Sequence, residues 1–267
     1  MSDLLPPEIV ALEDVAPHPN ILVFGKSGVG KTVFAGSDDR VLILNCENEG
    51  VLSAKRQGSK AKQWNCPTFK DFEKAVEWLK RQAEQGKTIP FDWVVIDTLT
   101  TLQKNLMRDI LNTVVAAKPM RDADIPDRPE YLKNQLVLGR IVKELNDLPV
   151  NTLWLAHVMS QTDPEGEEFM YPAVQGGKYV LAQQILAMMT SYGYMFVKER
   201  RKDGKAVVLN GKRVRDRFII WETSGAMQGK DRTNVLGEYT KNITLKEIRE
   251  RMQAADEKAK ALYSDQE

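Results

Sequence analysis

The residues best equipped for chemistry lie between Asn20 and Val33. Gly25, Gly30, Lys31 and Thr32 stand in the four set places of the spacing G-x-x-x-x-G-K-[ST]. Glycines at such spacing let the backbone curl so that successive N–H groups converge on one anion, and a following helix adds its positive N-terminal end. Gly25, Lys26, Ser27, Gly28, Val29, Gly30, Lys31, Thr32 and Val33 are therefore expected to wrap a triphosphate. Lys31 would reach the β- and γ-phosphates, and the Thr32 hydroxyl would ligate Mg²⁺. The pattern predicts ATP and Mg²⁺ as ligands.

Other candidates end apolar runs. Trp93-Val-Val-Ile leads to Asp97, four apolar residues and an acid, placed to hold Mg²⁺ through a coordinated water. Val41-Leu-Ile-Leu-Asn45 leads to Cys46-Glu47-Asn48-Glu49-Gly50, where Glu47 would orient the water that attacks the γ-phosphate and Glu49 competes for that role. His157 follows the run Asn151–Ala156 and could hydrogen-bond the γ-phosphate, reporting hydrolysis to the segment beginning at Met159. Gly229-Lys230-Asp231-Arg232 carries two cations that could reach a neighbouring subunit's phosphate, although the residues alone favour a solvated basic turn.

These groups need a frame that aligns strand ends. Ile21–Phe24, Val41–Asn45, Trp93–Asp97 and Asn151–Ala156 read as buried strands. Helices are expected over Thr68–Gln85, Leu99–Leu111, Tyr131–Leu148 and Tyr179–Thr190. Strands alternating with helices predict an α/β fold, a mostly parallel central sheet covered on both faces, in which ligands sit at the carboxyl ends of the strands. Lys118–Glu130 and Met159–Lys178 read as loops. Beyond them, Tyr194–Arg200, Lys205–Leu209 and Arg213–Trp221 read as an antiparallel three-strand meander turned by Asp203-Gly204 and Asn210-Gly211. Gly225–Lys241 reads as a linker, and a helix is expected from Thr244 to about Tyr263. The division this suggests is an arm over residues 1–19, a core over 20–241 that includes the meander, and a C-terminal helix and tail over 242–267.

Composition excludes some classes. Lys and Arg number 38 against 37 Asp and Glu, a formal charge of +1, so no global field announces a polyanion partner. Cys46 and Cys66 form no ligand pattern and read as core residues of a reduced compartment. With no long apolar run and no signal-like start, a cytoplasmic protein without a membrane partner is expected. Basic character is local: Arg213, Arg215 and Arg217 alternate along one strand and are candidate contacts for a single-stranded nucleic-acid backbone. Charge on an edge strand also serves simply to block aggregation.

The phosphate loop on strand one, Glu47 on strand two, Asp97, a polar residue after strand four and the late Lys230-x-Arg232 together resemble the RecA-like ATPases. More narrowly, the chain is similar to the single-domain RecA-like nucleotide-binding proteins of bacteriophages, some of which anneal single strands in recombination. The resemblance spans roughly residues 18 to 240. It implies a RecA-like core, Glu47 as catalytic base, and Lys230 and Arg232 acting in trans in a homo-oligomer with ATP at the subunit interface. It also implies single-stranded DNA and a single-strand-binding protein as partners, with the loops at 118–130 and 159–178 facing DNA and Lys178 a candidate contact in the second. The second loop departs from that pattern, since Asp163, Glu165, Glu167 and Glu168 suit phosphates poorly, which weighs against filament formation and strand exchange. A RecA-like helicase, loader or motor shares these motifs. A partition-type ATPase would match Lys26 but would place Gly where Ser27 stands, and a small-molecule kinase would use Arg200–Lys205 as a lid.

Overall fold

The computed structural model describes residues 18–47, 50–162, 165–176 and 180–264. β1 (Asn20–Gly25) leads to α1 (Lys31–Ala35), β2 (Val41–Asn45) to α2 (Leu52–Arg56), β3 (Lys62–Asn65) to α3 (Phe69–Glu84), and β4 (Trp93–Asp97) to α4 (Leu99–Ala117). Then follow α5 (Arg128–Asn146), β5 (Asn151–Thr162), β6 (Glu168–Pro172), α6 (Val180–Ala187) and β7 (Ser191–Glu199). Four short strands, β8 (Arg201–Lys202), β9 (Lys205–Ala206), β10 (Val208–Leu209) and β11 (Lys212–Arg213), come before β12 (Arg215–Ile220). β13 (Lys230–Asp231), β14 (Tyr239–Lys241) and α7 (Leu245–Ser264) complete the described chain.

The main sheet runs β14-β12-β7-β1-β5-β4-β2-β3. From β7 to β3 every neighbour is parallel, while β12 and β14 are added antiparallel at one side. Strands buried on both faces carry continuous apolar runs, and β1 shows why: Leu22 and Phe24 enter one core, Ile21 and Val23 the other. Helices α3, α4, α5 and α6 cover the first core; α1 and α7 cover the second. Leu245 and Ile248 of α7 are fully buried, each worth about 1.5–3 kcal/mol of transfer free energy. Arg249 on the same helix bonds Asp38 at 2.8 Å, tying the C-terminal helix to the turn after α1. Helix starts are locally specified. Thr68 accepts from Asp71 N at the head of α3, and Thr98 accepts from Thr101 N at the head of α4.

Several expectations need correction. The loop expected over Met159–Lys178 is largely a hairpin, because β5 runs on to Thr162 and pairs antiparallel with β6 in the register Met159↔Tyr171 and Gln161↔Phe169. Its polar residues obscured a pairing made by backbone groups, and the aromatic Phe169 and Tyr171 were its better signal. The three-strand meander is not formed either. β7 is a core strand parallel to β1, β12 pairs with it directly, and the middle run splits between the ribbons β8–β9 and β10–β11, outside the main sheet. The segment read as a linker contains β13 and β14. Pro129 belongs to the first turn of α5, where a missing N–H costs nothing, so the preceding loop ends at the capping Asp127. The polar, mostly exposed edge strand β3 carried no periodic signal.

Candidate nucleotide-binding site

The phosphate loop leaves β1 at a close approach to β7. A Cβ on Gly25 would lie 2.3 Å from Met195 O, so only glycine fits. Gly30 turns the chain into α1 with φ 91. That helix has only five residues, so the loop's own N–H groups and Lys31 must carry more of the anion site than a helix dipole can. Lys31 is buried and its Nζ donates to Gly25 O at 3.0 Å and Lys26 O at 3.1 Å. Burial pushes its ammonium down from the ordinary range, opposed by the charges of Asp97 and Glu47.

Register brings the acids together. Asn45 of β2 pairs with Asp97 of β4, so Glu47, just past the end of β2, stands beside Asp97. Thr32 Oγ1 donates to Asp97 Oδ2 at 2.7 Å. Burial pushes the Asp97 carboxyl up to about 6, and Glu47 adds to this while the Thr32 hydrogen bond and Lys31 oppose it. Glu47 behaves oppositely. Its Oε1 lies 3.2 Å from His157 Nε2 and accepts from Thr98 Oγ1 at 3.0 Å and Thr101 Oγ1 at 3.3 Å. The His157 hydrogen bond first, and then the threonines, hold it below the usual carboxylate range against the effect of burial. His157 is itself positioned from β5, level with Gly25 of β1, and its N–H donates to Thr100 Oγ1 at 3.0 Å. The peptide between Asp97 and Thr98 is cis.

Ser27 to Val33, Glu47, Asp97, Thr98 and His157 line one cavity of about 440 Å³, so the loop, both acids and the histidine expected from the sequence do converge. Arg215 and Arg217 line it too, which corrects their placement on a free basic strand face. Both side chains leave β12 on the side of the phosphate loop, whereas Arg213 belongs to the β10–β11 ribbon and pairs with Glu199 at 2.9 Å. Lys230 and Arg232 lie elsewhere. Lys230 pairs with Tyr192 at the level of Leu22, and Arg232 N bonds Thr190 O beside Asn20, at the amino end of the sheet. Neither lines the cavity of the phosphate loop. Lys178 and Glu49 fall outside the described residues.

Sequence reasoning overlooked Thr98, Thr100, Thr101 and the placement of the two arginines. Three hydroxyls close after Asp97 were the available signal for the first group. For the arginines there was none, because their place depends on how β12 joins the sheet. The donor set fits the ligands the motif predicts: Thr32 and Asp97 offer two hard oxygens, leaving other positions to phosphate and water as Mg²⁺ favours.

A parallel sheet with a glycine-rich loop, a lysine–threonine pair at the loop's end and an acid two strands away defines a P-loop NTPase. The chain belongs to the AAA domain family, whose model matches residues 18–233, and is thus a nucleotide-binding ATPase domain. None of the curated proteins matches it.

Proposed function

We propose that the protein hydrolyses ATP as a RecA-like oligomer and uses it in DNA recombination or single-strand annealing. The observation that carries the catalytic part is the convergence of Lys31, Thr32, Asp97 and Glu47 on one cavity. Lys31, released from its loop carbonyls, holds the β- and γ-phosphates. Thr32 and, through water, Asp97 would hold Mg²⁺, which when bound would neutralise charge on the phosphate oxygens. Glu47, kept ionised by its partners, orients and polarises the attacking water. His157 touches Glu47, so movement of either carboxylate or imidazole is passed to the β5–β6 hairpin that begins beside it.

Lys230 and Arg232, remote from their own loop, are assigned to a neighbouring subunit's ATP, with the resemblance to RecA-like proteins as the support. Single-stranded DNA is assigned to the ribbons after β7. There Arg201, Lys202, Lys205, Lys212 and Arg213 are exposed, and Val208 and Leu209 stand out at 54% and 62% exposure. A cluster of exposed cations suits the electrostatic tracking of a phosphate backbone. ATPase rate with and without single-stranded DNA, beside a sizing run with and without ATP, tests the proposal. Stimulation by DNA and ATP-dependent assembly are expected; a DNA-insensitive ATPase that stays monomeric would contradict the recombination reading.

A further inference from the structure

The charged groups at the back of the nucleotide cavity have partners. Lys31 bonds two carbonyls, Asp97 accepts from Thr32, and Glu47 accepts from His157 and two threonines. Arg217 stands apart from them. It forms no ion pair among the described residues, and its buried Nε has no hydrogen-bond partner there. A guanidinium stays charged under all ordinary conditions, and leaving it desolvated without an anion is costly. The protein nevertheless holds it in place. Arg217 N donates to Asn242 Oδ1 at 2.8 Å and Arg217 O accepts from Asn242 N at 2.7 Å, which clamps this point of β12 to the turn before α7.

The guanidinium lies close against the phosphate loop. A Cβ built on Gly30 would come within 2.9 Å of its Nη2, 3.1 Å of Nε and 3.2 Å of Cζ. Gly30 thus serves the arginine as well as the turn. We infer that Arg217 is a phosphate-binding residue of the same subunit's nucleotide site, its guanidinium bonding the phosphate chain from the β12 side of the cavity. This rests on the nucleotide-binding reading and adds to it an in-cis cation from outside the loop motif. Paired N–H groups match phosphate oxygens well, and the anion supplies the partner that the buried Nε lacks. Burial also lowers the guanidinium's affinity for its proton, in keeping with a charge that has no counter-ion.

The experiment is calorimetric titration of ATP and of inorganic tripolyphosphate into wild type, Arg217→Gln, Arg217→Ala and Lys31→Ala, with circular dichroism to confirm folding. Gln keeps most of the length and packing, so it remains informative where Ala disturbs the sheet. Arg217→Gln is expected to weaken both ligands by roughly 10- to 100-fold, the range for losing a charge-assisted hydrogen bond. Undiminished affinity for both ligands in folded Arg217→Gln would overturn the inference and make the arginine a structural brace. Weakened ATP with unchanged tripolyphosphate would overturn it too, moving the interaction to base or ribose. If wild type binds neither ligand, the nucleotide reading itself falls; if only Lys31→Ala loses binding, that reading stands and this one fails.

Discussion

At the scale of the residue, the site separates its two acids by environment. Asp97 is buried at the base of the cavity, and burial pushes its carboxyl up to about 6. Glu47 is half-buried and held ionised by three donors on one oxygen. That leaves its second oxygen for water. Glu47→Gln keeps the shape but replaces the acceptor, so kcat should fall on the order of 10²-fold or more while ATP affinity holds. Steady-state kinetics beside equilibrium binding checks this; unaltered kcat would pass the role to another acid. His157→Ala removes the foremost of the interactions depressing the Glu47 pKa, and the carboxylate's titration, followed by NMR, should move upward. That Lys31, Thr32, Asp97 and Glu47 would lie near one another was legible in the sequence, because each belongs to the loop motif or follows a buried apolar run. The place of Arg217 was not. Its neighbours Gly30 and Asn242 are nearly two hundred residues and about two dozen residues away in the chain, and only strand order joins them.

At the scale of the element, β7 and β12 link the nucleotide cavity to the basic ribbons. Asp216 secures this junction: its buried carboxylate accepts from Arg200 Nε at 3.0 Å, Asn242 Nδ2 at 2.9 Å and Lys241 Nζ at 2.9 Å. Arg200 foremost, then Asn242, hold the carboxyl well below the usual range. Because the folded pKa is depressed, the unfolded chain binds the extra proton. The stabilisation is therefore complete above the unfolded carboxyl value near 4 and is lost as pH falls below it. Asp216→Asn should flatten the acid limb of stability against pH below about 4, as read by denaturant unfolding at several pH values; an unchanged limb would remove Asp216 from this role. The ribbons carry a second prediction. Replacing Arg201, Lys202 and Arg213 with Ala should reduce the salt slope of single-stranded DNA binding by roughly 2, at about 0.7 for each phosphate no longer neutralised. An unchanged slope would move DNA to another surface. The buried strands and the start of α3 were legible from apolar runs and Thr68, but the Thr98 cap was overlooked, and the hairpin β5–β6 and the split meander depend on pairing partners that local pattern does not reveal.

At the scale of the whole molecule, the sheet keeps two sets of cations apart. Arg215 and Arg217 face the phosphate loop at its carboxyl end, and Lys230 and Arg232 lie toward its amino end. If the second set serves a neighbour, hydrolysis is complete only at an interface, and activity per subunit should rise with protein concentration. Arg232→Ala should then bind ATP without hydrolysing it, and mixing it with Lys31→Ala should restore part of the activity. A dead mixture of folded, co-assembling variants would restrict catalysis to one subunit. All of this presupposes that the phosphate loop holds the triphosphate. The most direct test is calorimetric titration of ATP with Mg²⁺ into wild type and Lys31→Ala at micromolar protein. Saturable binding by wild type and none by a folded Lys31→Ala is the predicted result; equal affinity in the two proteins would contradict the account at its base.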